Sequence, residues 1–316
     1  MTIESNGKAA INPLPLRSLV HKATLSFKGM PSRSKADKAE ARMIEQRESM
    51  AEGSFSATKA LIGKDALAVI DAAKKELTDY YYDHSVAPSE GKCGFRLVPN
   101  KQLSEFTMNM NTLKRHCEDA FKEFLREYGK DDPAKHQAWL SLQQTRLGGK
   151  FDASEYPTPS DLERKFKIAT GTESFTDISE SAGQWVDGET LTVLKRQEEE
   201  MHQVVRDYAS LDVWERVTTP LKAMVERLSD AQEGDSVNKD GQKSFKDSLV
   251  ENLRDIATRL PDLDFQGDVR LEGVRKECLS MLEGLTAKEL RKDGKKRKAT
   301  ATRAADILKA VEGYGS

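Results

Sequence analysis

The stretch Leu103-Ser-Glu-Phe106-Thr-Met-Asn-Met110-Asn-Thr-Leu113-Lys-Arg-His-Cys117-Glu-Asp-Ala120-Phe121-Lys-Glu-Phe124-Leu125 decides the fold class. Its apolar residues Leu103, Phe106, Met110, Leu113, Cys117, Ala120 and Phe124 recur at alternating steps of three and four. At 3.6 residues per turn that spacing lines them along one side of a helix. Phe121 and Leu125 widen the stripe beyond the narrow seam of a two-stranded coil. The pattern predicts a bundle helix packed on more than one neighbour, with Leu103, Phe106, Met110, Leu113, Cys117 and Phe124 buried together.

Working outward toward the N-terminus, Phe95-Arg-Leu-Val98 reads as a short strand ended by Pro99, after a turn over Pro88–Gly94. Before it, Leu67, Ile70, Leu77 and Tyr81 mark one face of a helix that begins near Lys64. The run Tyr80-Tyr-Tyr82 reads as packing on that helix rather than as a stacking platform for bases. Residues 32–56 are charged and rich in Ala and Glu, a helix with little to bury, and Leu19–Phe27 alternates as a strand that Gly29-Met-Pro31 stops.

Toward the C-terminus, Gly129 and Pro133 end the deciding helix, and a shorter one follows through Trp139, Leu142 and Leu147 to the break at Gly148-Gly149. Residues 150–188 hold two prolines and three glycines, with a strand expected over Lys167–Phe175 as the partner of Leu19–Phe27. From Glu189 an amphipathic helix runs to about Val217, and Thr219-Pro220 predicts a fresh helix start. Gly234–Gly241 is a polar loop, and Phe245, Leu249, Leu253, Ile256 and Leu260 form a helical face stopped by Pro261. Leu271, Val274, Cys278, Met281 and Leu282 mark the next helix. Thr286-Ala-Lys-Glu289 is a capping box, and Ala301, Ala304, Ala305, Leu308 and Val311 line the last helix, with Gly313 placed to end it. The expected fold is mainly α, a helical bundle or elongated helical hairpins with a minor β element. Its regions are an N-terminal arm and strand (1–31), a helical region (32–149), a connector with a short strand (150–188) and a C-terminal helical region (189–316).

Composition narrows the function classes. Of 316 residues, 32% are charged and 7% aromatic, a balance that suits solvent-facing helices. Fifty basic residues against 52 acidic ones leave a net charge of −2, so no global field draws in nucleic acid or membrane. The three cysteines, Cys93, Cys117 and Cys278, include no CxxC pair, which disfavours a zinc ribbon and a disulfide framework. With no apolar run long enough to span a bilayer and no secretory-type leader, the expected location is the cytoplasm, of its own cell or of a host.

Motifs for a P-loop, a dinucleotide fold, a nucleophile elbow and a zinc protease are missing, so the expectation is a non-enzymatic protein with no cofactor and no metal. Two metal-like patterns fall short of a site. Glu199-x-x-His202 has the spacing of a di-iron bundle ligand pair but lacks the second copy such a site needs. Ser236–Asp247 follows a calcium loop at several positions, but Ser236 and Asp247 replace its first and last ligands and Lys243 its apolar position. His21, His84, His116 and His136 are as scattered as His202 and read as surface or boundary residues. One charge run stands out: Lys288, Arg291, Lys292, Lys295, Lys296, Arg297, Lys298 and Arg303 against Glu289 and Asp293, a net of +6 over 16 residues. It reads as a solvated connector, with a phosphate contact to DNA as the alternative.

The segment Phe151-Asp-Ala-Ser-Glu-Tyr156-Pro157, followed by Leu162 and Phe166, resembles a family of phage and prophage proteins of uncharacterised function. There a helical region ends in an FDxSxYP turn before a DL…KF segment. The blocks Phe245-Lys-Asp-Ser-Leu-Val250-x-Asn252-Leu253, Leu260-Pro261-x-Leu263, Leu290-Arg-Lys-Asp293 and Ala301…Ala304-Ala305-x-Ile307-Leu308 are similar to the family's C-terminal half. The resemblance implies a phage-encoded chain whose relatives are encoded near MoxR-type AAA ATPases and von Willebrand A-type proteins, and it carries over no catalytic residue. Phe151, Tyr156, Pro157 and Phe166 read as aromatics and a turn packed against helices. The expected function is an interaction or adaptor protein that works through helical surfaces, on a protein partner or on itself. The alternative is a DNA-binding accessory of phage replication or recombination that uses residues 288–303.

Overall fold

The computed structural model describes residues 14–29, 34–36, 38–60, 62–91, 93–177, 181–229 and 247–312. Among the described residues helices predominate, beside a small three-stranded antiparallel sheet, so the protein is mainly α with minor β. In chain order the described elements are α1 (Leu16–Leu19), β1 (Val20–Lys28), β2 (Ser34–Ala36), α2 (Lys38–Arg47), β3 (Thr58–Ala60), α3 (Lys64–Asp83), β4 (Arg96–Pro99), α4 (Leu103–Glu127), α5 (Pro133–Leu147) and α6 (Pro159–Lys165). They continue with β5 (Lys167–Ser174), α7 (Gly188–Ser229), α8 (Ser248–Leu263), α9 (Val269–Leu282), α10 (Ala287–Lys292) and α11 (Gly294–Glu312). The sheet order is β4-β1-β5, with His21 opposite Val98 and Lys22 opposite Leu97. The two outer strands fall where strands are expected at 95–98 and 167–175.

The chain does not divide along consecutive ranges. One compact unit gathers residues 1–23, 84–104 and 172–316, the other 24–83 and 105–171. The second unit is built on α3, α4 and the chain that follows. Leu67, Ile70, Leu77 and Tyr81 are the buried residues of α3, as the spacing predicts. On α4 the buried set is Phe106, Met110, Cys117, Phe121, Phe124 and Leu125. Leu103 and Leu113 are only half-buried, against expectation. A strict heptad falls short of two helical turns by about 20° per repeat, so the burial follows Phe121 and Leu125 while Leu113 and Ala120 are left on the flank.

The core of this unit is aromatic. Phe121 and Phe166 stack at 3.7 Å with an interplanar angle of 11°. Trp139 meets Tyr156 edge-on at 5.4 Å, Phe151 stacks on Tyr156 at 5.5 Å, and the buried Tyr128 hydroxyl donates to the Pro157 carbonyl at 2.9 Å. The FDxSxYP turn is thus a packing device. Gly129 must be glycine: its φ is +95°, and a Cβ would sit 2.4 Å from the His136 nitrogen. Asp132 caps α5 and Pro133 opens it.

In the first unit α7, α8, α9 and α11 pack together. Val205, Ala209, Val213, Val217, Leu221, Met224 and Leu228 form the buried edge of α7. Leu253, Ala257 and Leu260 of α8, Cys278 of α9, and Ala304, Ile307 and Val311 of α11 share that core. Burial pushes the Cys278 thiol up to about 12. Two proline readings are corrected. Pro220 does not start a helix but lies inside α7, and Pro261 lies inside the last turn of α8 rather than stopping it at Leu260. A proline inside a helix costs about 3 kcal/mol; around Pro220 the unbroken buried row Val217, Leu221, Met224 and Leu228 offsets that cost. The Thr286 box forms with both arms, Glu289 N–H to Thr286 at 3.2 Å and Thr286 N–H to Glu289 at 3.0 Å. The polar loop 234–241, the calcium-like loop except Asp247, and Gly313 lie outside the described residues.

Candidate functional site

Residues 288–303 form α10 and the first half of α11 rather than a loop, with Asp293 at the junction. Asp293 accepts from the backbone N–H of Lys295 and Lys296, which holds its carboxyl below the usual range. Six of the eight basic residues, Lys288, Lys292, Lys295, Lys296, Lys298 and Arg303, are exposed. Arg291 is largely covered and pairs with Asp247. Arg297 leaves the predicted set: it is 1% exposed, and its guanidinium donates to the Leu290 carbonyl at 3.3 Å. Its aliphatic stem packs on the bundle at a point in the helical repeat shared with Ala301 and Ala304, so it cannot reach a phosphate in solution. The remaining cations form a surface patch, in which Lys296 lies 3.9 Å from Glu289 and Arg303 donates to Ser280 at 2.9 Å.

A second surface lies on α7. Met201, Val204 and Leu211 are 42%, 51% and 51% exposed, and half-buried Tyr208 completes a row at steps of three, four and three. Val193 and Leu194 extend the row by two turns toward the N-terminus of α7. Large apolar side chains repeated at heptad spacing on the outer side of an already packed helix are the pattern of a helix–helix seam that has no partner among the described residues.

On the inner side of the same helix, Glu198 and His202 are 7% and 4% exposed. They continue the buried row of Val205, Ala209 and Val213 backward at helical spacing. Asp177, three residues after the end of β5, brings a carboxylate to the same place, and one donor atom from each of the three lies within 4.8 Å of the others. The His202 Nε2 to Asp177 Oδ1 separation is 3.8 Å. Phe175 meets the His202 ring edge-on at 5.3 Å and carries the Lys22 ammonium over its face at 4.7 Å. Arg17 pairs with Asp177 Oδ2 at 3.2 Å, and Arg206 donates to Glu199 at 3.4 Å and to the Leu14 carbonyl at 2.9 Å. The Glu199-x-x-His202 spacing therefore points to the wrong glutamate, since the Glu199 side chain is 72% exposed. The legible signal is the phase: Glu198 and His202 occupy positions where the helix otherwise places Val and Ala. His202 is also not the surface residue that the sequence suggests.

Two other histidines hold local structure. His21 shares a hydrogen bond with Asn100 at 2.7 Å and His136 one with the Tyr128 carbonyl at 3.0 Å. Among the described residues, no helix is long and apolar enough to cross a membrane. Comparison with models of known protein families gives no match, and comparison with curated proteins and with solved structures gives none either, so the reading of this chain rests on its own sequence and geometry.

Proposed function

We propose that the chain is a non-enzymatic interaction protein that assembles with a second copy of itself through the outer row of α7, in keeping with the phage-encoded adaptor that the sequence motifs suggest. The observation that carries this reading is the exposed series Met201, Val204, Tyr208 and Leu211. A two-fold axis sets a patch against its own copy, and heptad spacing suits a helix packed at a small crossing angle. Each apolar side chain withdrawn from water contributes about 1.5–3 kcal/mol, so two such rows are enough for a micromolar dimer after the entropy of association. The test is sedimentation velocity over a concentration series. The unaltered chain shifts from monomer to dimer, and the double substitution Val204→Asp with Leu211→Asp weakens that association by about 100-fold or more, with an unchanged far-ultraviolet circular dichroism spectrum. A chain that stays monomeric at every concentration contradicts the proposal.

The exposed cations of α10 and α11 favour a second reading, binding to the phosphates of DNA. With Arg297 buried and Arg291 paired, this binding rests on Lys288, Lys292, Lys295, Lys296, Lys298 and Arg303. In that case replacing Lys295, Lys296 and Lys298 with Glu lowers affinity for duplex DNA. It also flattens the dependence on salt by about 0.9 for each phosphate that the protein no longer neutralises. Titration at two salt concentrations checks this, and no binding by the unaltered chain at low salt removes the reading.

A further inference from the structure

We propose that Asp177, Glu198 and His202 form a binding site for one divalent ion of the zinc class, independently of the α7 outer row. The argument begins with an imbalance of hydrogen bonds. Among the described residues, His202 Nε2 and Asp177 Oδ1 are buried and make no hydrogen bond. Their separation of 3.8 Å is too long for a bond between them. A buried imidazole nitrogen or carboxylate oxygen left without a partner is costly. An ion placed between them satisfies both atoms at once.

The geometry fits. Zinc binds imidazole nitrogen and carboxylate oxygen at about 2.0–2.2 Å, which sets tetrahedral donors about 3.3–3.6 Å apart. The His202–Asp177 distance of 3.8 Å is slightly longer than that spacing, and the three donor atoms lie within 4.8 Å of one another. The donor chemistry narrows the ion. One imidazole with two carboxylates suits zinc, manganese or ferrous iron better than magnesium or calcium, which favour all-oxygen sites. Arg17 on Asp177 Oδ2 orients the carboxylate so that Oδ1 faces the site, the part that hydrogen-bonded neighbours play around metal ligands. Phe175 walls off one side of the imidazole. Lys22 is held on the Phe175 ring, and Arg206 donates to the Leu14 carbonyl and to Glu199 while its buried Nε makes no hydrogen bond among the described residues. Because Asp177 follows β5 and the other two ligands lie on α7, the ion pins the strand's exit to the helix. That role is structural.

The experiment uses the full chain, stripped with a chelator and dialysed, and titrated with Zn²⁺, with Co²⁺ as a spectroscopic probe and Mg²⁺ as the control. One Zn²⁺ binds per chain, Co²⁺ develops the visible bands of a low-coordinate site, and Mg²⁺ does neither. Zn²⁺ at about 100 times its Kd raises the melting temperature by about 5 °C or more. Asp177→Asn and Glu198→Gln each weaken Zn²⁺ binding at least 10-fold, while Glu200→Gln, two residues from Glu198 on the exposed side, leaves it unchanged. Circular dichroism confirms that each variant is folded, and the Co²⁺ spectrum of the unaltered chain stands without any variant. Failure of the unaltered chain to bind Zn²⁺ and Co²⁺ overturns the proposal. So does binding that survives both Asp177→Asn and Glu198→Gln, or that disappears on Glu200→Gln.

Discussion

Replacing Leu221 by Ala destabilises the first unit by about 2–5 kcal/mol, the range for truncating a large side chain in a packed core. Leu221 is completely buried and lies one residue past Pro220, in the row that includes Val217, Met224 and Leu228. The missing methyl groups leave a cavity that α8 and α11 cannot close without moving their own buried residues. The position also bears on the proline, because the helix at Pro220 lacks one backbone hydrogen bond and is kept continuous by the packing on either side. Thermal or urea denaturation followed by circular dichroism measures the effect. A midpoint that does not move shows that α7 does not pass unbroken and buried through Pro220.

The second large effect is expected at Asp212. Its Oδ2 accepts from Arg96 at 3.1 Å, from Arg216 at 3.0 Å and from the Ala87 N–H at 3.0 Å, while the Ser85 carbonyl accepts from the same two guanidinium groups at 2.9 and 2.8 Å. This knot fastens the chain around β4 to α7. All three charged side chains are less than a quarter exposed, so water screens them only in part. Asp212→Ala leaves two guanidinium groups facing each other with no carboxylate between them, at a cost of about 2–3 kcal/mol. Asp212→Asn keeps the shape and an acceptor for Ala87 but removes the charge, and falls between the two. Denaturation midpoints that order as unaltered chain, Asn, Ala confirm the knot; equal midpoints for all three show that the pairs contribute nothing.

Much of the fold is legible in the sequence because it depends on periodicity. The apolar residues of α3, α4, α9 and α11 show their helical spacing directly; the alternation at 19–27 marks one strand, and the short run ended by Pro99 and the segment 167–175 mark its two partners in the sheet. Local chemistry serves equally well at the Thr286 capping box and at Asp132-Pro133. The departures come where tertiary packing overrides a local rule. Thr219-Pro220 has the signature of a helix start, but a buried row on both sides keeps α7 going. Leu113 fits the heptad and is only half-buried, because the buried side of α4 turns toward Phe121 and Leu125. Arg297 looks like one more cation in a basic run, yet its place in the repeat of α11 puts it in the core. The candidate metal ligands escape sequence reading for a related reason. Asp177 is distant in sequence, and only the fold brings it to Glu198 and His202.

The central claim, that copies of the chain meet along the outer row of α7, is tested most directly by disulfide trapping. Val204 is mutated to Cys after the exposed Cys93 is replaced by Ser, which leaves the other two cysteines buried. In a two-fold seam each residue near the axis faces its own copy. Mild oxidation is expected to convert most of the Val204→Cys chain into a linked dimer, while a Cys placed at Glu199, around the helix from the row, gives almost none. Equal and slow cross-linking from both positions would contradict the account, since it is what random collision of monomers produces.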